Sequence, residues 1–123
     1  VRPVSARVAP TAPGGGAWDD LSDPDCGIEL WCPASAANVT GTADHVNDTF
    51  TPSWTGISGT CRITAGQLVN TGFAFRAYES DLLSDDTITA RTVVLLTEAE
   101  LMSGTKTLTG AGGLTSITFQ LTP

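Results

Sequence analysis

The sequence predicts an all-β protein, an eight-stranded antiparallel β-sandwich, with residues 1–123 forming one domain. Three observations carry that prediction. Glycine (13) and proline (7) break the chain at short intervals. The stretches between them are rich in Thr, Val and Ala. Several alternate apolar with polar residues at the period of two that marks a half-buried strand. A chain of 123 residues can bury a real core.

The elements follow in order. Val4, Ala6 and Val8 alternate with Ser5 and Arg7 in a first strand bounded by Pro3 and Pro10. Gly14-Gly15-Gly16 leads through Trp18 into an acidic loop, and Cys26 to Cys32 forms the second strand. Residues Pro33 to Gly41 read as a loop of small residues without periodicity. Ala43 to Phe50 is a polar strand near an edge, and Thr51-Pro52-Ser53-Trp54 a sharp turn that buries its tryptophan. Gly59 to Thr64 is a strand and Ala65 to Asn70 a short helical or turn connection. Gly72 to Tyr78 is the strongest strand, with Phe73, Phe75 and Ala77 alternating against Ala74 and Arg76. Ile88 to Leu96 is another strand. Thr97 and Glu100 make a capping-box pattern that starts a helix, which Gly104 stops. Lys106 to Thr109 and Leu114 to Leu121 close the chain as two strands. Trp18, Trp31 and Trp54 read as core or rim residues. Asn38-Val39-Thr40 and Asn47-Asp48-Thr49 match the glycosylation sequon, a pattern short enough to recur by chance.

Thirteen acidic against six basic residues give a net charge of −7. Nucleic-acid binding needs a basic face, which six cations spread over the chain do not supply. An anionic membrane is equally unwelcoming unless a cation intervenes. No apolar run approaches the ~20 residues of a membrane-spanning helix. No signal peptide is present, but Val1 is not an initiator Met, which reads as a chain processed or excised from something longer. Of the three cysteines, Cys26 and Cys32 lie along one strand, and six steps at ~3.3 Å put them beyond disulfide reach. Cys61 is the shared candidate partner. Cys32–Cys61 is the expected pair; Cys26–Cys61 stays open, as do three reduced thiols.

The chemistry concentrates in Glu79-Ser80-Asp81-Leu82-Leu83-Ser84-Asp85-Asp86, where a strand ends in a cluster of acids. Crowded carboxylates must be solvated or neutralised, and calcium is suited to the task because it takes six to eight oxygens in tolerant geometry. In an extended run Glu79 and Asp81 share a face while Ser80 turns away. A second acidic stretch, Trp18-Asp19-Asp20-Leu21-Ser22-Asp23-Pro24-Asp25, also borders a strand. Either loop alone is an ordinary polar turn; the two side by side would form a metal site.

These segments resemble the C2 domain, a sandwich whose end loops bind calcium and often engage phospholipid. Asp19 and Asp25 stand six apart before a strand, as in that family's first calcium loop. Asn47 to Trp54 is similar to its strand-turn motif of Thr, apolar, polar, Pro, variable and Trp residues. Tyr78 to Thr89 resembles its third loop, with Glu79 where Asp is usual. A first strand directly before the first acidic loop and a last strand after Gly113 are similar to the family's second circular permutation. The resemblance implies Asp19, Asp25, Glu79, Asp81 and Asp86 as calcium ligands, with Asp20, Asp23, Asp85 and the Ser80 carbonyl as secondary or alternative ones. Leu21, Leu82 and Leu83 occupy the apolar loop tips, and either face a membrane or fold back to cap the sandwich. The strand from Ala43 to Phe50 carries only His45, which disfavours phosphoinositides.

Catalysis is not expected. His45, the single histidine, has no nucleophile motif near it, and a carboxylate pair for glycoside hydrolysis needs a cleft that strand faces do not provide. The expectation is therefore a secreted or cell-surface calcium-binding module that engages phospholipid or a partner protein. The alternative is a structural subunit of an extracellular assembly that self-associates, with calcium stiffening its loops.

Overall fold

In a computed structural model covering residues 1–123, the placement of residues 1–12, 14–18, 22–56, 59–82 and 85–123 is described. These residues form β1 (Arg2–Val8), β2 (Cys26–Trp31), β3 (Gly41–Val46), α1 (Ala65–Asn70), β4 (Phe73–Glu79), β5 (Asp86–Val94), α2 (Glu98–Ser103), β6 (Thr105–Ala111) and β7 (Leu114–Gln120). The strands build two antiparallel sheets in the orders β1-β7-β6 and β3-β2-β4-β5.

Alternation explains how the sheets face one another. Phe73, Phe75, Ala77 and Glu79 lie on one side of β4, and Ile117 and Phe119 project from β7. Phe119 meets Phe73 and Phe75 edge to face, with ring centroids 4.9 and 5.3 Å apart, so these rings join the sheets. Ile28, Leu30, Ile88, Val94 and Leu114 complete a fully buried interior.

The described strands number seven, not the expected eight. The predicted strand Gly59 to Thr64 is an irregular segment tied down by the bond from Cys61 N–H to the Val1 carbonyl oxygen. The expected turn at Thr51-Pro52-Ser53-Trp54 instead runs beside β1. Val8 and Ala6 donate to the carbonyls of Phe50 and Pro52, Trp54 donates to Val4, and Ser53 bridges Ser5. Pro52 has no N–H to return, which keeps this ribbon from a full ladder. Trp54 is buried as expected. The expected capping box forms on α2, Thr97 with Glu100, Gly104 ends that helix in the left-handed conformation, and a second capping box, Thr64 with Gln67, starts α1. β3 is an edge strand, as its polar sequence implied.

Cys32 and Cys61, 29 positions apart in sequence, form a disulfide with Cα atoms 6.0 Å apart. Cys26 is a buried free thiol. The disulfide lies beyond the last residue of β2, at the end of the sandwich opposite the acidic loops.

Candidate functional site at the acidic loops

β2 begins, β4 ends and β5 begins at the same end of one sheet. Cys26 pairs with Glu79, and Glu79 with Asp86. This register alone brings the two acidic stretches together. The Ser80 N–H donates to the carbonyl oxygen of Asp25 at 2.9 Å, a direct backbone link between the loops. The segment after β3 joins them: Asp48 N–H donates to Asp25 Oδ1 at 2.7 Å and Thr49 N–H to the Pro24 carbonyl at 3.1 Å. Asp48 holds a positive φ of 52°, a conformation that Asp tolerates better than most residues.

The acids differ in setting. Glu79 is 3% exposed, on the core side of β4 where its strand leaves the sandwich. Its charge and the burial of the site act together on Cys26, whose thiol is pushed up to about 12, chiefly by desolvation. Asp81 is exposed, and its Oδ1 accepts from the N–H of Leu82. Asp25 is half-buried, Asp23 exposed, and Ser80 half-buried. Asp85 and Asp86 are both exposed. Tyr78, on the outer side of the sheet, has its pKa raised by burial first and then by the charges of Asp85, Asp44 and Glu29. Asp86 lines a cleft with Thr87, Ala12, Ala17 and Trp18.

Asp19, Asp20, Leu21 and Leu83 lie outside the described residues. Among the described residues, no three of the His, Cys, Asp and Glu side chains are grouped so as to hold a metal ion. Calcium would therefore need the residues Asp19 and Asp20 as well, or a closing movement of the loops. Hard carboxylate and carbonyl oxygens are the donor types present, which is the set that calcium takes. Leu82 is fully exposed at 100%, so it does not fold back over the sandwich.

Sequence reasoning missed Asp48, whose backbone braces Asp25; the Asn47-Asp48-Thr49 turn was the available signal. It also missed the cleft, which only the fold assembles from Trp18 and Asp86.

No family model and no curated protein matches the sequence. A solved structure described as "Structure of a C2 domain" is similar over 98% of this chain and 94% of its own, with a TM-score of 0.55 and 13% sequence identity. At that identity the likeness is one of fold. The chain folds as a C2-like antiparallel β-sandwich.

Proposed function

We propose that this is a non-catalytic, exported calcium-binding module that mediates calcium-dependent contact with a phospholipid surface or a partner protein. The observation that carries the reading is the link from Ser80 N–H to the Asp25 carbonyl, which sets the two acidic loops against each other at one end of a C2-like sandwich. Asp19, Asp25, Glu79 and Asp81 would supply carboxylates, with Asp86 or Asp85 closing the shell and Asp20, Asp23 and the Ser80 carbonyl in reserve. Bound calcium would offset the repulsion among these acids and present a positive site to phosphate or carboxylate. Leu82, fully exposed on the same loops, supports contact with an apolar surface.

The Cys32–Cys61 disulfide supports an oxidising, extracellular setting. No helix among the described residues is long and apolar enough to cross a membrane. His45 stands exposed on β3.

The second reading, a self-associating structural subunit, is favoured by the edge position of β5 and by Val93 and Leu95 at its far end, which are 58% and 52% exposed. Co-sedimentation with vesicles in calcium and in EDTA separates the two. Calcium-dependent pelleting supports the module; calcium-independent association that survives high salt supports the subunit.

A further inference from the structure

We propose that the end of the sandwich opposite the acidic loops is a self-complementary surface, through which two copies of this chain pair about a two-fold axis. This pairing needs no calcium and stands apart from the metal reading.

β4 begins and β5 ends at that end, where Phe73 pairs with Val94. α1 leads into the first strand and α2 follows the second, so both helices lie there. Three hollows run beside them in a row. The first, of about 540 Å³, is bordered by Thr60, Arg62 and Ile63. The second, of about 310 Å³, shares Ile63 with it and adds Leu68, Leu101 and Leu121. The third, of about 490 Å³, shares Ala65 and Leu101 with the second and reaches Glu98 and Met102. The middle of the row is thus apolar, and its two ends carry opposite charges. Arg62 and Glu98 are both exposed, and among the described residues neither forms an ion pair.

Shape follows the same polarity as charge. Met102 stands 87% exposed at the Glu98 end, and the hollow of about 540 Å³ lies at the Arg62 end. A two-fold axis through the middle hollow carries each end of the row onto the other. Glu98 of one copy then faces Arg62 of the second, and Met102 enters the hollow beside that arginine. A contact of this kind is isologous and closes at two copies. Methionine suits the role, because its flexible, polarisable side chain fills irregular space. Ile63, Leu101 and Leu121 meet their counterparts near the axis, while the charges at the rim fix orientation and register.

The charge pattern selects a second copy over other partners. A uniformly basic or uniformly acidic segment would match one end of the row and be repelled at the other. The pairing also leaves the acidic loops of both copies uncovered at the far ends, so that one dimer presents two of them and gains avidity for any surface they engage.

The test is sedimentation velocity of the 123-residue chain in EDTA, over a micromolar-to-millimolar concentration series. The wild type should show a monomer–dimer equilibrium that stops at two copies. Arg62→Glu and Glu98→Arg each set like charges against one another at both rims, and each should weaken the dimer about tenfold or more. Met102→Lys should weaken it likewise. Arg62→Glu mixed with Glu98→Arg restores opposite charges at both rims, so the mixture should pair as the wild type does, which also shows that both variants fold. A wild type that stays monomeric, growth beyond two copies, variants that pair as well as the wild type, or a mixture that stays monomeric would overturn the proposal. Calcium binding by a chain that remains a monomer would sink the pairing alone; a dimer that binds no calcium would sink the metal reading alone.

Discussion

The carboxylate of Glu79 sits beside the thiol of Cys26, directly across the β2–β4 ladder and at the base of the acidic loops. Burial is the main cause that lifts this thiol from an ordinary 9.0 to about 12, and the charge of Glu79 adds to it. The thiolate is thereby roughly a thousandfold scarcer than in the unfolded chain near neutral pH. Native protein should therefore resist a thiol-specific disulfide reagent at pH 8, and react with one equivalent after unfolding in guanidinium. Because the folded pKa is raised, the linked stability is fully present below pH 9 and is lost as pH rises from 9 through about 12. Rapid labelling of folded protein at pH 8 would contradict this placement.

The disulfide tests the opposite end of the sandwich. Cys32 and Cys61 are 29 positions apart, and a loop of that length predicts roughly 3–4 kcal/mol of stabilisation by restriction of the unfolded chain. A double Cys32→Ala, Cys61→Ala variant should lose that amount in denaturant unfolding and keep its far-ultraviolet spectrum. A loss below ~1 kcal/mol would mean that the closure contributes little.

Gly72 is a backbone requirement. It holds φ at +73°, and a Cβ on it would overlap the Val94 carbonyl oxygen. Gly72→Ala should cost at least about 1–2 kcal/mol from the left-handed conformation alone, with more from the overlap. Thermal melting would show a drop of several degrees.

At α2, Thr97 Oγ1 accepts from Glu100 N–H while Glu100 returns a bond to Thr97 N–H and pairs with Lys106. The Lys106 hydrogen bond, then the bond from the Thr97 backbone, holds the Glu100 carboxyl below its usual 4.5. A depressed pKa contributes stability above 4.5 that fades as pH falls below it. Thr97→Ala should cost about 1 kcal/mol, and an acid titration of Glu100 by carboxyl NMR would lose part of its downward displacement in that variant.

Much of the fold was legible because its signals are local. Alternation marked β1 and β4, and the Thr97–Glu100 spacing marked α2. The edge position of β3 followed from its polarity. The segment from Gly59 to Thr64 misled because a short, mildly apolar run resembles a strand wherever it lies, and only the partner across the sheet decides. Here the neighbour of β1 is instead the ribbon from Phe50 to Trp54, where Pro52 interrupts the ladder. The site was legible as composition and less so as geometry. The meeting of Asp25 with Ser80 follows from strand order, which the resemblance supplied. The burial of Glu79 and the cleft beside Trp18 depend on packing between elements far apart in sequence.

Calcium bound at one hundred times its dissociation constant should stabilise the domain by about 2.7 kcal/mol, or roughly 10 °C in melting temperature for a chain of this size. Asp25→Asn should reduce the rise even if it folds normally, since Asp25 Oδ1 also anchors the Asp48 N–H at 2.7 Å. A full rise in that variant would remove Asp25 from the ligand set.

The most direct test of the central claim is a calorimetric calcium titration of EDTA-stripped protein, with wild type beside Asp81→Asn. Asp81 is exposed on the loop after β4 and its loss leaves the core untouched. The account predicts saturable binding in the micromolar-to-millimolar range by the wild type, lost or weakened at least tenfold in the variant. No heat and no binding by the wild type would contradict it, leaving a C2-like scaffold whose acidic loops hold no calcium.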